Sequence, residues 1–420
     1  MDHFTYRDGV LHAEDVSLSM IAEAVGTPVY IYSRATLERH AQVFKAALAA
    51  LPRTHIAFAI KANPNLAVLN VLARQGFGAD VVSGGEISRA LAAGMKAQDI
   101  VFSGVGKTRA ELAHALEAGI GQFNIELEEE GAVLAAMAAQ MGKTASAVLR
   151  VNPDVDAGTH AKISTGKSEN KFGVPISEAM GIFARLSGLA GLNLRGVACH
   201  IGSQLFDLAP LEAAYARVGA LVAELRAAGR TIDRVDLGGG LGVPYERDKV
   251  PPSPADYGAM VARVTNGWDV TLMFEPGRVI VGNAGVLLTR VIWVKPGVAR
   301  PYVIVDAAMN DLARPAMYDA FHDFEAVHPG GERIVANIAG PVCETGDTFA
   351  MAREIDAVKS GDLAIFRTAG AYGATMASTY NSRALVPEVM VDGARFAVVA
   401  ERVLPETLIA AEHVPGWLRD

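Results

Sequence analysis

Cysteine is almost missing from this 420-residue chain: Cys199 and Cys343 are the only two. A disulfide framework is thereby excluded, and a reducing compartment is expected. Although 51% of the residues are hydrophobic, no stretch approaches the roughly 18 uninterrupted apolar residues that a membrane helix needs. Much of the apolar excess is alanine spread over amphipathic segments. Basic charge is also short. The formal net charge of −8 argues against nucleic acid as a partner. The opening Met1-Asp-His-Phe-Thr-Tyr-Arg-Asp8 mixes charges and lacks the pattern of a secretory or transit peptide. A soluble cytoplasmic protein is expected.

What the chain does have is rhythm. From about residue 55 to 276, short β-branched runs alternate with alanine-rich helical stretches, the signature of βαβ units. The predicted strands are His55–Lys61, Gly78–Val82, Asp99–Ser103, Gln122–Leu127, Ser146–Val151, Leu194–Ile201, Arg234–Leu237 and Thr271–Glu275. Eight strands with crossover helices predict a parallel (β/α)8 barrel, because right-handed crossovers leave few other closed arrangements. After Pro276 short strands are separated by Gly, Pro and Asp turns with little helix, which predicts an antiparallel β domain, sandwich or barrel-like. The strand Pro28–Ser33 is assigned to that second domain. The expected division is therefore 34–277 for the barrel and 1–33 with 278–420 for the β domain. The segment Asn152–Pro175 is long for a βα loop, ends in Asn170-Lys-Phe-Gly173 and is a candidate cover for a site.

Within this frame, several residues carry chemistry. Lys61 ends an apolar run and is followed by Ala-Asn-Pro-Asn65, so its amine is expected, partly desolvated, at the barrel mouth. That is what condensation with an aldehyde cofactor needs. Asp236-Leu-Gly-Gly-Gly-Leu-Gly242 follows the seventh strand, where backbone N–H groups can approach a phosphate. Glu275, in Phe274-Glu-Pro-Gly-Arg278, ends the eighth strand and suits a protonated pyridine nitrogen. His200 and Ser203, in Ala198-Cys-His-Ile-Gly-Ser-Gln204, end the sixth; a ring stack and a phosphate hydrogen bond are expected of them. In the second domain, Gly340-Pro-Val-Cys-Glu-Thr-Gly-Asp347 sets a thiol beside a carboxylate in a turn. Arg314 and Tyr318 are four apart, on one face if helical, and Tyr372 lies among glycines.

This constellation resembles the fold-type III pyridoxal phosphate (PLP) enzymes, and among them the diaminopimelate decarboxylase family. The likeness runs nearly end to end, through Phe58–Asn65, Asp80-Val-Val-Ser-Gly-Gly-Glu86, His200–Gln204, Asp236–Gly242, Glu275–Arg278, Asp306–Tyr318, Gly340–Asp347 and Gly370–Arg383. It implies a homodimer with shared sites, Lys61 as the covalent anchor, and His200 against the cofactor ring. It places Asp80, Ser203, Gly239, Gly240, Gly277, Arg278 and Tyr372 around the cofactor, with Glu275 at the ring nitrogen. Arg278, Arg314, Tyr318, Glu344 and Tyr372 fall to the substrate, Cys343 and Glu344 coming from the partner subunit. Cys343 and Lys61 both stand as proton donors to the α-carbon.

The charges also bear on the substrate. Meso-diaminopimelate carries an ammonium and a carboxylate at its far end, and Arg278, Arg314 and Glu344 are the complementary set. The expected reaction is decarboxylation to L-lysine. A related decarboxylase acting on carboxynorspermidine or a D-amino acid, a racemase of the same fold, and a non-catalytic PLP-binding relative are the alternatives. No metal is expected.

Overall fold

The computed structural model describes residues 2–156, 171–246 and 248–419. The chain divides into two compact units, Leu37–Ile280 and Met1–Thr36 together with Val281–Asp420.

The first unit is built on eight strands: β1 (Thr54–Ala59), β2 (Gly78–Val81), β3 (Ile100–Phe102), β4 (Gln122–Ile125), β5 (Ala145–Asn152), β6 (Leu192–Ala198), β7 (Arg234–Asp236) and β8 (Thr271–Phe274). Every neighbouring pair is parallel. Because β8 also pairs with β1, with Phe274 opposite Ile56, the ladder closes into a barrel. All four residues of β2 and of β4 are buried, as expected of strands covered on both faces. Several of the helices between them start on side-chain caps. Asn65 accepts the Ala67 N–H at 2.9 Å, and Thr108 with Glu111 and Ser253 with Asp256 form capping boxes. Outside the strands, Phe274 and Tyr257 meet edge-on with ring centres 6.2 Å apart, and Phe44 stacks on Tyr257 at 6.3 Å. Inside, one apolar layer is small: Ala57, Val101 and Met273.

Seven of the eight strands end one to three residues sooner than the sequence suggests, β1 and β6 among them. β1 stops at Ala59, and Lys61 sits in a single 3-10 turn, Ile60–Ala62. β6 stops at Ala198, so His200 lies in the loop beyond it. In these two the chain bends where it leaves the ladder, and the functional side chain is carried by the bend.

The second unit holds a nine-stranded sheet centred on Gly285–Lys295, which pairs with Val29–Ser33, Leu363–Phe366 and Tyr302–Val305. The sheet is mixed, not purely antiparallel. Tyr302–Val305 runs parallel to Arg333–Ala339, and Glu388–Asp392 runs parallel to Val29–Ser33. The reason is connectivity, since both pairs join strands that are not linked by hairpins. A three-stranded sheet, Phe4–Arg7, Val10–Ala13 and Val16–Ser17, precedes it. Leu11, Leu18, Ile21, Ile31, Val286 and Val389 share one apolar core in this unit, each fully buried.

Candidate active site

The barrel gathers its chemistry at the carboxyl ends of its strands. Lys61 Nζ donates to Asp80 Oδ2 at 2.7 Å, so the turn after β1 and the strand β2 meet in an ion pair. The lysine side chain is 41% exposed and its partner is fully buried. The amine is thus partly shielded from solvent and meets a carboxylate at contact distance. Asp80 Oδ1 is buried and has no hydrogen-bond partner among the described residues.

Glu275 follows β8. Its carboxyl is held well above the usual range, first by burial and then by the neighbouring charges of Asp236 and Asp80. Asp236, at the end of β7, is also pushed up, mainly by burial, although the Gly238 N–H and the Asn124 amide oppose the shift. Between them lies a polar layer that the sequence reading missed. Asn124 Nδ2 reaches Ser103 Oγ at 3.0 Å, Asp236 Oδ2 at 3.3 Å and Glu275 Oε1 at 3.3 Å. Gln122 Nε2 donates to Asn124 Oδ1 at 2.7 Å and to Asp236 Oδ2 at 3.2 Å. The available signal was the spacing of Gln122 and Asn124. Two amides at i and i+2 of a strand share its inner face, here inside a barrel.

His200 Nδ1 accepts the Gly239 N–H at 3.2 Å, which leaves Nε2 as the protonated nitrogen of the neutral ring. Burial drives the imidazole pKa down to about 3, with Arg150 and Lys61 adding to the effect. The glycine loop 238–242 could not be built otherwise. Gly238 and Gly240 have φ of 64° and 122°, and a Cβ on Gly239 would lie 2.3 Å from the Glu275 carbonyl oxygen. A Cβ on Gly277 would press within 3.2 Å of both Ala59 and Ala62. The loops after β1, β7 and β8 are thus in backbone contact. Arg278 reaches Ser203 Oγ at 3.4 Å and hydrogen-bonds the Tyr245 hydroxyl while its guanidinium sits 5.6 Å from the centre of that ring. Tyr245 escaped the sequence reading. Gln204, by contrast, is structural, since its amide makes two hydrogen bonds to the Val243 backbone, at 2.7 and 3.1 Å.

Glu126, beyond β4, accepts the N–H of Gly104 at 2.9 Å, the N–H of Gly173 at 2.9 Å and Arg150 Nη1 at 2.7 Å. Arg150 in turn lies 4.9 Å from the centre of the Phe172 ring. Lys171, Phe172 and Gly173 are therefore placed, whereas Asn170 and most of the candidate cover lie outside the described residues.

In the second unit, Arg314 and Tyr318 open and close the short helix Arg314–Tyr318. Arg314 is buried and shares a 2.8 Å hydrogen bond with His322 Nε2, and His322 Nδ1 donates to the Arg367 carbonyl at 2.9 Å. Cys343 and Glu344 are exposed on a turn whose base is Asp347, which accepts the N–H groups of Met309 and Val342, each at 2.6 Å. The Cys343 N–H donates to Asn381 Oδ1 at 3.1 Å, so the segments 340–347 and 370–383 meet. Tyr372 adopts φ of 56°, a conformation uncommon for a residue with a side chain. Among the described residues no cluster of metal-binding side chains occurs.

The donor set of the barrel fits an aldehyde cofactor with a phosphate. It offers one amine, a half-buried acid, a neutral histidine, an arginine beside a serine, and a glycine loop. The comparisons agree. Residues 34–282 match the family model described as pyridoxal-dependent decarboxylase, pyridoxal binding domain. The chain is 51% identical, over 99% of both chains, to diaminopimelate decarboxylase of Zymomonas mobilis. It is 52% identical, again over 99% of both, to that of Pseudomonas fluorescens. Among solved structures, the diaminopimelate decarboxylase of M. jannaschii in complex with L-lysine superposes with a TM-score of 0.96, at 36% identity and 99% coverage of both chains.

Proposed function

This chain belongs to the pyridoxal-dependent decarboxylases, and from that premise we propose that it removes one carboxyl from meso-2,6-diaminopimelate, giving L-lysine and carbon dioxide. That reaction is the last step of lysine biosynthesis. The observation that carries the reading is the placement of the Lys61 amine and the half-buried Glu275 acid just beyond the ends of the adjacent strands β1 and β8.

Pyridoxal 5′-phosphate, when bound, supplies an electron-withdrawing ring that accepts the electron pair left as carbon dioxide departs. The chain's own residues hold and tune it. Lys61 would anchor it through the amine, and Asp80 orients that amine by their ion pair. Glu275 would face the ring nitrogen, and His200, neutral and fixed by Gly239, would lie against the ring. Ser203, Gly239, Gly240, Gly277, Arg278 and Tyr372 would take the phosphate.

The far end of the substrate calls for separated charges. Arg278 and Arg314 suit its carboxylate and Glu344 its ammonium, with Tyr318 beside them. We assign the proton returned to the α-carbon to Cys343 or Lys61. Exposed Cys343 and Glu344 suit a contribution to the partner's site in a homodimer. No described helix is long and apolar enough to cross a membrane, and we place the enzyme in the cytoplasm.

The direct test is carbon dioxide release from meso-diaminopimelate, with and without added cofactor, beside a panel of related amino acids. Preference for a substrate with a single carboxylate would overturn the substrate assignment. Sharing of sites is checked by mixing inactive Lys61→Ala and Cys343→Ala dimers. Partial activity should return on subunit exchange, whereas no return despite proven exchange means self-contained sites.

A further inference from the structure

The upper barrel buries more carboxyl groups than it has cations to match. Asp80 is answered by Lys61. Asp236 and Glu275, at the ends of neighbouring strands β7 and β8, accept hydrogen bonds from neutral donors, while the charges of Lys61 and Arg150 also act on Glu275. Asp236 Oδ1 accepts the Gly238 N–H at 3.0 Å, and its Oδ2 is reached by the amides of Gln122 at 3.2 Å and Asn124 at 3.3 Å. Glu275 Oε1 receives the same Asn124 amide at 3.3 Å and the Ser103 hydroxyl at 3.4 Å. One nitrogen, Asn124 Nδ2, thus lies 3.3 Å from an oxygen of each carboxyl, so the two groups share a single donor.

That sharing has a chemical consequence. Ionised carboxylates only accept hydrogen bonds, so two of them at one amide compete for one donor and repel each other unless one carries a proton. Charge gives the same answer, because a buried and a half-buried carboxyl this close do not both stay ionised. The donors decide which one is ionised. Asp236 collects a backbone N–H and two amides, whereas Glu275 collects one shared amide and one long hydroxyl contact. Asp236 is therefore the anion and Glu275 the acid.

We propose that Asp236 is a positioning residue for the decarboxylation. From the end of the neighbouring strand and through the Asn124 bridge, its negative charge keeps a proton at Glu275 for the ring nitrogen of the cofactor. The proton is then already present when the ring arrives, and none need be drawn from solvent. Asp236 stays anionic behind Glu275 and opposes loss of that proton afterwards. The inference rests on the reading that Glu275 meets the ring nitrogen.

The test uses holoenzyme reconstituted with pyridoxal phosphate labelled with nitrogen-15 in the ring, whose chemical shift reports protonation directly. In the wild type the nitrogen should remain protonated across the pH range in which the holoenzyme stays folded, or lose its proton only near the alkaline end. In Asp236→Asn, which keeps shape and removes charge, the midpoint should fall by about one pH unit or more, a tenfold loss of proton affinity. Asp236→Ser carries the same expectation should the asparagine variant fail to fold. A neutral variant whose nitrogen holds its proton as long as the wild type overturns the role of Asp236. Glu275→Gln separates the two levels. If the wild-type nitrogen is unprotonated at neutral pH, or if Glu275→Gln leaves its shift unmoved, the assignment of Glu275 itself fails.

Discussion

The two ends of the barrel are both polar, yet they are polar in different ways. At the amino ends of the strands lies a cavity of about 260 Å³ lined by Thr54, His55, Asp99, Gln122, Arg234 and Thr271 among others. Its charges find ordinary partners there. Arg234 donates to Gln122 Oε1 at 3.0 Å and to the Gly121 carbonyl at 3.3 Å, and His55 sits 3.9 Å from Asp99. At the carboxyl ends, by contrast, Asp236 and Glu275 are pushed up together, His200 is pushed down, and Asp80 keeps one oxygen without a described partner. Polarity does not distinguish the ends. At the amino ends the Arg234 guanidinium is lowered by burial, but at the carboxyl ends carboxyls moved up and an imidazole moved down stand together, and that clustering is the physical mark of a site.

Substitutions at both ends can break or sharpen this contrast. The largest effect is expected from Lys61→Ala, which removes the anchor. Carbon dioxide release should drop on the order of 10⁴-fold or more, and borohydride reduction should no longer label position 61 in a mass-spectrometric digest. Glu275→Gln should follow, with kcat down roughly 10²–10³-fold, the usual cost of one preorganised electrostatic partner.

Next comes the acid limb of stability without cofactor. His200 is depressed to about 3 in the folded chain, against an unfolded value near 6.5. The unfolded state therefore binds the extra proton first, and stability should be lost as pH falls from about 6.5 toward 3. His200→Gln should flatten that limb in urea titrations at stepped pH. An unchanged limb would show that the ring is not held neutral. The smallest change is expected at the other end. Arg234→Ala should cost about 1 kcal/mol of stability and leave kcat/KM within roughly twofold, since it reaches Asp236 only indirectly, through the Gln122 side chain. A large loss of kcat/KM with normal stability would erase the distinction between the two ends.

The barrel was legible because its strands are buried on both faces and several of its helices carry side-chain caps, so both periods show in the chain. Lys61, Glu275 and the glycine loop were legible because each stands at a break in an apolar run. The polar layer was not. β4 is four residues long, and Gln122 and Asn124 pass for part of an ordinary strand until closure puts them opposite Asp236 and Glu275. The pairing of Lys61 with Asp80 was hidden for the same reason, because it depends on register between strands. The hairpin Phe4–Ala13 had a local signal that went unread. Asp8-Gly9, with φ of 48° and 78°, is a typical two-residue turn for such a hairpin. The parallel pairings of the second unit leave no local trace, because nothing within a strand records which non-neighbour it will join.

Glu126 has a consequence for how the rim of the barrel moves. One carboxylate clasps backbone from two loops far apart in sequence, at Gly104 and Gly173, and a guanidinium that rests on Phe172. Solvent cannot take either amide singly without loosening the clasp on the other. Deuterium should therefore enter both positions in one correlated event, and the root of the long insertion opens in step with the β3 loop.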